Sequence, residues 1–286
     1  MSSLTGEVIL ITGGARGIGL AIAEAAARAG ARVAVADIDA SAAIGTATRL
    51  GEECRGYGLD VTDRSGFDEV VSLVEEEMGP VAVLVNNAGI AEACERVGEQ
   101  PREMLDRILE VNLNGVINGT LSALKRMEPR GRGQIVNVAS QAGRIATPAL
   151  AAYTASKFGV VGFTDTVRFE YRGSGICLTC VMPGPVDTGM MSGTRKVPLI
   201  RLVKPEEVAK ETLAAIEHRR EDVFVPRLSG YLVRFGGMLP PKARERIVRV
   251  FGLHKVYSGI DPLARSEYSS RVAPQVAPPE DNDRVR

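Results

Sequence analysis

Short apolar runs alternate with segments of helical periodicity from the start of the chain to about residue 226, and this alternation restricts the possible folds. Seven runs have the length and hydrophobicity of strands covered on both faces. They lie at 7–12, 32–36, 55–59, 81–85, 134–139, 176–182 and 222–225. Strands separated by single helices imply right-handed crossovers and a parallel sheet between two helical layers. The pattern predicts a doubly wound, Rossmann-type α/β fold.

Six helices are predicted between these strands from apolar residues at helical spacing and from capping residues. They lie at 17–29, 41–50, 63–78, 101–127, 151–171 and 205–218. Thr62 or Asp63 is expected to cap the third helix, and Gly79-Pro80 to end it. Each strand is therefore followed by one helix before the next strand begins.

The alternation ends near Pro226, so we predict that the α/β domain comprises residues 1–226. Residues 227–260 are expected to form a helical C-terminal extension, because basic and apolar side chains mix there. The extension would cap the subunit or contact a neighbouring copy; contact with an anionic membrane surface is the alternative. Residues 261–286 are rich in proline and charge, and we expect this tail to be partly disordered.

Composition restricts the classes of partner. Lysine plus arginine equal aspartate plus glutamate at 35 each, so no overall field favours nucleic acid. Tryptophan is absent, which also disfavours a surface for base stacking. We expect neither a signal peptide nor a membrane span, because the chain has no basic n-region and no run of 18 apolar residues. Four cysteines suit a reducing compartment, which predicts a cytoplasmic protein.

The cysteines and histidines do not form a set of metal ligands. Cys177 and Cys180 are spaced like a metal-binding pair, but they lie on the sixth predicted strand. Residues three apart on a strand face opposite sides, so these two thiols cannot ligate one metal. His218 and His254 have no ligand neighbours at suitable spacing. We expect no metal and interpret the thiols as structural.

Tyr153 and Lys157 are four residues apart on the fifth predicted helix, and Ser140 lies thirteen residues before Tyr153. Residues i and i+4 share a helix face, so the phenol and the ammonium can reach one cavity. A nearby cation favours the phenolate and lowers a tyrosine pKa that is ordinarily about 10. Ser140 would hydrogen-bond a substrate oxygen while Tyr153 gives or takes its proton. These roles suit hydride transfer to or from a carbonyl carbon.

A glycine-rich turn between the first strand and the first helix predicts a dinucleotide site. Its residues are Gly13, Arg16, Gly17, Ile18 and Gly19. Such a turn lets backbone N–H groups approach a diphosphate at the helix N-terminus. Asp37 ends the second strand, where its carboxylate would accept hydrogen bonds from the adenosine ribose and repel a 2′-phosphate. This favours NAD, although Arg16 could meet the 2′-phosphate of NADP.

Together these motifs resemble those of the short-chain dehydrogenase/reductase family, in order and in spacing, over about residues 5–226. The resemblance assigns further cofactor contacts to Asp60, Val61, Asn87, Ala88, Gly89, Pro183, Gly184, Val186 and Thr188. It also adds Asn112 to Ser140, Tyr153 and Lys157 as a fourth catalytic residue, which would help to order a water leading to the lysine.

The resemblance implies an NAD-dependent oxidoreductase that transfers a hydride between nicotinamide and a secondary alcohol or ketone. Tyr153 would be the general base or acid, and Ser140 would position the substrate oxygen. Lys157 would bond the nicotinamide ribose and lower the pKa of Tyr153. The family also implies a homodimer or homotetramer formed through the helices at 101–127 and 151–171.

Substrate choice is expected to depend on residues 141–150, on residues 188–203 and on the C-terminal extension. The second segment is rich in apolar residues, which favours a steroid-, retinoid- or lipid-like substrate. In the first, Arg144 could pair with an anionic substrate group, although a solvated or interface arginine is the simpler interpretation.

Two alternatives stay open. The protein could be an NADPH-dependent carbonyl or 3-oxoacyl-thioester reductase, against which Asp37 argues. It could also be a non-catalytic NAD-binding or scaffold protein that kept the fold. The presence of all four catalytic residues of the family argues against that second alternative.

Overall fold

A computed structural model describes residues 4–93, 96–195, 197, 201–237, 239–250, 252, 256–257 and 259–273. It contains the predicted seven-stranded parallel sheet, in the order β3-β2-β1-β4-β5-β6-β7, so the fold prediction is confirmed. The strands are β1 (Val8–Thr12), β2 (Arg32–Asp37), β3 (Arg55–Gly58), β4 (Val81–Asn86), β5 (Gly133–Val138), β6 (Ile176–Pro183) and β7 (Asp222–Val225). The chain runs outward from β1 to β3 and then returns to β4, so the strand order reverses between β1 and β4.

Helices cover both faces of the sheet. They are α1 (Gly17–Arg28), α2 (Ala40–Leu50), α3 (Arg64–Met78), α4 (Arg102–Leu109), α5 (Gly115–Arg130), α6 (Ala151–Glu170), α7 (Pro205–Glu217), α8 (Arg227–Gly237), α9 (Pro241–Val250) and α10 (Pro262–Val272). Of the two predicted caps of α3, Asp63 is the one that accepts hydrogen bonds, from the N–H groups of Ser65 and Gly66.

The central strands bury alternate side chains on opposite faces of the sheet. Ile9 and Ile11 belong to a cluster with residues of α1 and α7, whereas Val8 and Leu10 belong to a cluster with residues of α3 and α5. Burying one such side chain contributes roughly 1.5–3 kcal/mol, so both faces hold the strands firmly. The carboxyl ends of the strands are therefore a rigid platform for a site.

The helix predicted over 101–127 contains a π-helical turn that the sequence did not predict. This turn, Glu110–Asn114, joins α4 to α5. Such turns are frequent at functional sites because they redirect side chains within a helix. Here the turn contains the fully buried Asn112, whose amide group bonds to the backbone of Ile90.

Among the described residues after β7, the chain forms three helices. α8 packs on β7, where Val233 is buried and Gly230 lies against the ring of Phe224. α8 therefore covers the β7 edge of the sheet. The role of the extension as a cap, as a contact with a neighbouring copy or as a contact with a membrane surface stays a prediction. α10 lies within the tail expected to be partly disordered, and Asp261 caps it by accepting from two backbone N–H groups. Residues 274–286 of that tail lie outside the described residues.

Two further findings concern membranes and metals. Among the described residues, no helix combines the length and the apolar character that crossing a bilayer requires. The same part of the chain contains no cluster of three histidine, cysteine, aspartate or glutamate side chains placed to hold a metal ion. Cys54, Cys177 and Cys180 are free thiols, and burial raises the pKa of Cys180 to about 12.

Candidate active site

A cavity of about 390 Å³ lies at the carboxyl ends of the strands, beside the reversal between β1 and β4. Ligands of open α/β sheets bind at this position. The predicted site residues that line it are Gly13, Arg16, Gly17, Ile18, Asp37, Asp60, Val61, Asn87, Ala88, Gly89, Ser140, Tyr153, Lys157, Pro183, Gly184, Val186 and Thr188. Gly19 and Asn112 do not line the cavity but contact residues that do, Gly13 and Gly89 respectively.

The turn between β1 and α1 requires glycine for steric reasons. Gly13 and Gly17 have φ angles of +61° and +53°, which side-chain-bearing residues rarely adopt. A Cβ on Gly13 would lie 2.9 Å from Ala88 Cα, and a Cβ on Gly19 would collide with the Gly13 carbonyl oxygen. The turn thus leaves the N-terminus of α1 open to the cavity, where its N–H groups and dipole favour an anion.

Asn87 and Thr12 hold this turn in place. Asn87 Nδ2 donates to the carbonyl oxygens of Thr12 and Gly13 at 2.9 and 3.1 Å. Thr12 Oγ1 accepts from the N–H groups of Asn87 and Ala88 at 3.0 and 3.1 Å. These bonds join the ends of β1 and β4. Asn87 therefore positions the turn, in addition to lining the cavity.

Asp37 presents a carboxylate at the end of the cavity near β2. Only 8% of the residue is exposed, and its oxygens accept from the N–H groups of Ala15 and Asp39, each at 3.2 Å. Arg16 donates to Asp39 at 2.7 Å, so the cation considered for a 2′-phosphate already has an acidic partner. Both features suit the hydroxyl groups of a ribose better than a phosphate.

The loop after β3 forms the neighbouring edge of the cavity. Asp60 accepts from the N–H and the hydroxyl group of Thr62 at 2.9 and 2.8 Å, and it lies 3.8 Å from Arg107 Nη1. The carbonyl oxygen of Val61 accepts from Asn118 Nδ2 at 3.0 Å. The loop is therefore fixed to the helical layer formed by α4 and α5.

Tyr153 and Lys157 lie one turn apart near the start of α6, and both line the opposite part of the cavity. Lys157 is 3% exposed; its Nζ donates to the Val138 carbonyl oxygen at 3.0 Å and lies 5.7 Å from the centroid of the Tyr153 ring. Ser140 lies just after β5, where its hydroxyl oxygen accepts from the Ala142 N–H at 3.1 Å. The three predicted catalytic side chains thus converge on one cavity.

Burial has the largest effect on the pKa values of Tyr153 and Lys157. It raises the pKa of Tyr153 above the ordinary value of 10.0, while a hydrogen bond with Ser140 opposes that rise. Burial also lowers the pKa of Lys157 to about 8. The sequence predicted that the ammonium would lower the tyrosine pKa. In the structure the tyrosine pKa is raised instead, because the phenol is removed from water and the lysine amine bonds to a backbone carbonyl.

Asn112 connects the π-helical turn to the start of α6. Its Oδ1 accepts from the Ile90 N–H at 2.7 Å, and its Nδ2 donates to the Ile90 carbonyl oxygen at 2.8 Å and to Ser156 Oγ at 3.1 Å. Ser156 in turn donates to the Tyr153 carbonyl oxygen at 2.7 Å. Asn112 therefore positions the backbone of Tyr153. Its role in ordering a water stays a prediction.

The segments expected to govern substrate choice contribute to the cavity in part. Ile145 and Leu150 of the first segment line it, as do Met190 and Met191 of the second. Arg144 is not among the lining residues and donates instead to Asp165 at 2.9 Å. Residues 196 and 198–200 of the second segment lie outside the described residues.

The C-terminal wall of the cavity was predicted only in part. Val256 and Tyr257 belong to the extension that was expected to affect substrate choice, whereas the sequence analysis missed Tyr268, Arg271 and Val272, which lie in the tail expected to be partly disordered. Tyr268 Oη accepts from the Ala91 N–H at 2.8 Å, and burial raises the pKa of Tyr268 to about 12. Burial also raises the pKa of Tyr257, whose hydroxyl group lies 3.4 Å from Met191 Sδ. Asp261-Pro262 was the available signal, since a capping aspartate followed by proline is typical of a helix start.

These residues fit a nicotinamide dinucleotide. The glycine turn forms a cradle that a Cβ would fill, and the N-terminus of α1 suits a diphosphate. The carboxylate of Asp37 suits ribose hydroxyl groups at one end of the cavity. The amine of Lys157 and the hydroxyl groups of Tyr153 and Ser140 supply hydrogen-bonding groups at the other.

Comparison with known sequences finds proteins similar to this chain. The protein-family model described as short chain dehydrogenase matches residues 7–198 of this chain. The 2-(S)-hydroxypropyl-CoM dehydrogenase 3 of Xanthobacter autotrophicus is 38% identical over 228 residues, which are 73% of this chain and 89% of that relative. The human estradiol 17-beta-dehydrogenase 11 is 31% identical over 246 residues, which are 84% of this chain and 81% of that relative.

A solved structure agrees at the level of the fold. It is that of a short chain dehydrogenase/reductase from Burkholderia phymatum in complex with NAD. The TM-score is 0.75 with 27% sequence identity, and the match covers 82% of this chain and 94% of that chain. The likeness therefore extends over almost the whole of the solved protein.

Proposed function

This chain belongs to the short-chain dehydrogenase/reductase family, and from that premise we propose that it is an NAD-dependent dehydrogenase of a secondary alcohol. As a family member it is an oxidoreductase that acts on alcohols. One observation carries the finer proposal. Ser140, Tyr153 and Lys157 converge on a cavity whose other end presents the carboxylate of Asp37.

The cofactor assignment rests on the charges at the β2 end of the cavity. A bound nicotinamide dinucleotide supplies the hydride acceptor or donor. The glycine turn would hold its diphosphate, Asp37 its adenosine ribose and Lys157 its nicotinamide ribose. The buried carboxylate of Asp37 and the ion pair between Arg16 and Asp39 support NAD over NADP. The structural relative from Burkholderia phymatum was solved with NAD.

Tyr153 is the residue we assign to proton transfer. In ketone reduction the phenol, which its raised pKa keeps protonated, donates a proton to the carbonyl oxygen. In alcohol oxidation the phenol must first lose its proton, and the phenolate oxygen then accepts the substrate hydroxyl proton. Ser140 hydrogen-bonds the phenol and holds the substrate oxygen beside it. Asn112 acts indirectly, because it donates to Ser156, which in turn donates to the carbonyl oxygen of Tyr153.

The lining of the cavity supports an apolar substrate. Ile145, Leu150, Met190 and Met191 line the same cavity as the catalytic side chains, and their own side chains offer few hydrogen bonds. A steroid-, retinoid- or lipid-like alcohol matches such a wall better than a polyol does. One relative named above is an estradiol dehydrogenase, and the other acts on a hydroxypropyl compound, so relatives differ in substrate.

The decisive experiment measures NADH formation from NAD⁺, and NADPH formation from NADP⁺, over a panel of secondary alcohols. The panel runs from polyols through hydroxyacyl thioesters to steroids. We expect NADH with one apolar class. Tyr153→Phe should lower kcat by about 100-fold or more, because it removes the oxygen that accepts the substrate proton and keeps the ring. Tight NAD⁺ binding without turnover of any alcohol would favour the non-catalytic alternative.

We also propose a homodimer or homotetramer, formed through α4, α5 and α6. Exposed apolar side chains on α5 and α6 support it: Leu121, Phe158 and Phe169 are 45%, 44% and 71% exposed. The cytoplasmic location indicated by the thiols stays a prediction.

A further inference from the structure

The C-terminal helix α10 brings an arginine, Arg271, to the wall of the cavity. Of the residues that the structure describes, the charged ones that line the cavity are Arg16, Asp37, Asp60, Arg107, Lys157 and Arg271. The partners of the other three cations are less exposed to water than Glu267, the partner of Arg271. Arg16 pairs with Asp39, Arg107 lies near Asp60, and Lys157 donates to a backbone carbonyl.

Arg271 is held only loosely by its own helix. Its Nε donates to the Glu267 carbonyl oxygen at 3.2 Å, and its Nη2 lies 3.7 Å from Glu267 Oε1. The Glu267 side chain is 89% exposed, whereas that of Arg271 is 38% exposed. An ion pair with so exposed a partner is strongly screened by water. The guanidinium is therefore available to a second anion on its cavity side.

The position of Arg271 relates it to the glycine turn. Its Nη2 lies 3.4 Å from the place that a Cβ on Gly189 would occupy. The neighbouring Thr188 contributes a methyl group that lies 3.3 Å from the corresponding place on Gly17, the first residue of α1. Arg271 therefore lies beside Gly189, whose chain neighbour Thr188 faces the first residue of α1.

A buried arginine fixes α10 against the loops that follow β4 and β6. Arg265 is 3% exposed and donates to Glu92 Oε1 at 3.1 Å. It also donates to the carbonyl oxygens of Ala91 and Met190 at 2.8 and 2.9 Å. Charged groups are buried in this way only when their donors are satisfied. Arg271 is therefore carried by a firmly attached helix, two turns from its anchor.

We propose that Arg271 binds an anionic group inside the cavity. A guanidinium offers paired N–H donors that match the oxygens of a phosphate or carboxylate. Two sources could supply this chemistry: the diphosphate of the dinucleotide, or an anionic group of the substrate remote from the reacting carbon. The inference rests on the proposed function, because it takes the cavity as the site of both molecules.

Calorimetric titration with NAD⁺, ADP-ribose and adenosine tests the proposal without requiring turnover. If the diphosphate is the ligand, Arg271→Met should weaken the binding of NAD⁺ and ADP-ribose by about tenfold or more, the loss expected for a charge-assisted hydrogen bond. Adenosine, which has no phosphate, should bind the variant and the wild type equally. Arg271→Lys should restore part of the loss, because it keeps the charge but not the paired donors.

If the substrate supplies the anion, the three affinities should be unchanged in Arg271→Met. The KM of the alcohol identified in the panel should then rise about tenfold or more at saturating NAD⁺, with a smaller change in kcat. Unchanged affinities together with an unchanged KM would overturn the proposal.

Two control variants separate binding from helix stability. Glu267→Gln removes the partner of Arg271 on α10, so a loss equal to that of Arg271→Met would mean that the ion pair only stabilises the helix, and would overturn the proposal. Arg249→Met removes an arginine that pairs with Glu245 one turn away on α9, at 2.8 Å, and should change nothing. If the wild type binds none of NAD⁺, NADP⁺ and ADP-ribose, the proposed function is overturned, and this inference with it.

Discussion

At the scale of single residues, burial of the Lys157 ammonium in the site has an electrostatic cost in folding free energy. It is almost fully buried, its Nζ bonds to one backbone carbonyl, and burial lowers its pKa from 10.5 to about 8. Each pKa unit corresponds to 1.36 kcal/mol, so the buried ammonium disfavours folding by up to about 3 kcal/mol. The lysine therefore does not stabilise the fold at this position, which supports the functional role that we propose for it.

We predict that Lys157→Met changes how stability depends on pH. As the pH rises from about 8 to 10.5, the folded amine is already neutral while the unfolded amine still binds a proton. Folding is therefore favoured increasingly with pH in the wild type. Between pH 7 and pH 9.5 the wild type should gain about 2 kcal/mol in unfolding free energy relative to Lys157→Met. Urea unfolding at both pH values measures this difference, and parallel pH profiles would contradict the burial of a titrating amine.

Asp37 belongs to the same scale, because we propose that its single carboxylate sets the cofactor preference. Asp37→Asn keeps the size of the side chain and removes the charge that repels a 2′-phosphate. The ratio of kcat/KM for NAD⁺ over NADP⁺ should fall by about tenfold or more. Asp63→Asn, at the cap of α3 and outside the cavity, is the matched control and should leave the ratio unchanged. A wild type that prefers NADP⁺ would refute the assignment at once.

At the scale of elements, α10 depends on polar contacts between segments far apart in the chain. Arg265 and Glu92 form its central ion pair, and the Arg265 guanidinium also lies 4.6 Å from the centroid of the Tyr268 ring. Breaking a buried ion pair by removing one partner costs about 3–5 kcal/mol, more than an exposed pair contributes. The attachment of α10 should therefore be cooperative and sensitive to one substitution.

Arg265→Met should release α10 while the sheet stays folded. We expect faster hydrogen–deuterium exchange over 262–272, unchanged exchange in β1 and β4, and a higher KM for the alcohol, since Tyr268 and Arg271 leave the cavity wall. Adding Glu92→Gln to this variant should recover part of the loss, because the uncompensated carboxylate is then removed. Exchange over 262–272 equal to that of the wild type would contradict this view of α10.

At the scale of the whole molecule, α5 and α6 form a helical layer with exposed apolar side chains. Leu124 of α5 and Val167 of α6 are buried in the same cluster, so the two helices cover the same face of the sheet. Leu121, Phe158 and Phe169 remain exposed on these helices. Single exposed apolar residues are ordinary, but several on adjoining helices support our proposal that a second copy covers this surface.

We predict that Phe158→Arg combined with Phe169→Arg reduces the mass in light scattering from that of a dimer or tetramer toward that of a single chain. Charges brought into an apolar interface are desolvated without partners, which weakens association. Leu228→Arg, at a residue of α8 that is 75% exposed, is the control and should keep the oligomer. A wild type that behaves as a single chain at all concentrations would exclude this interface.

The sequence by itself determined the order of strands and helices, the glycine turn and the group formed by Ser140, Tyr153 and Lys157. Each depends on local spacing, and the parallel sheet then brings strand ends together at one edge. The tertiary structure decided three other features. The π-helical turn leaves apolar periodicity almost unchanged, and the pKa of Lys157 depends on burial by neighbouring segments. α10 joins the cavity through an ion pair between residues 173 positions apart, a contact that no local pattern specifies because only the folded chain brings its partners together.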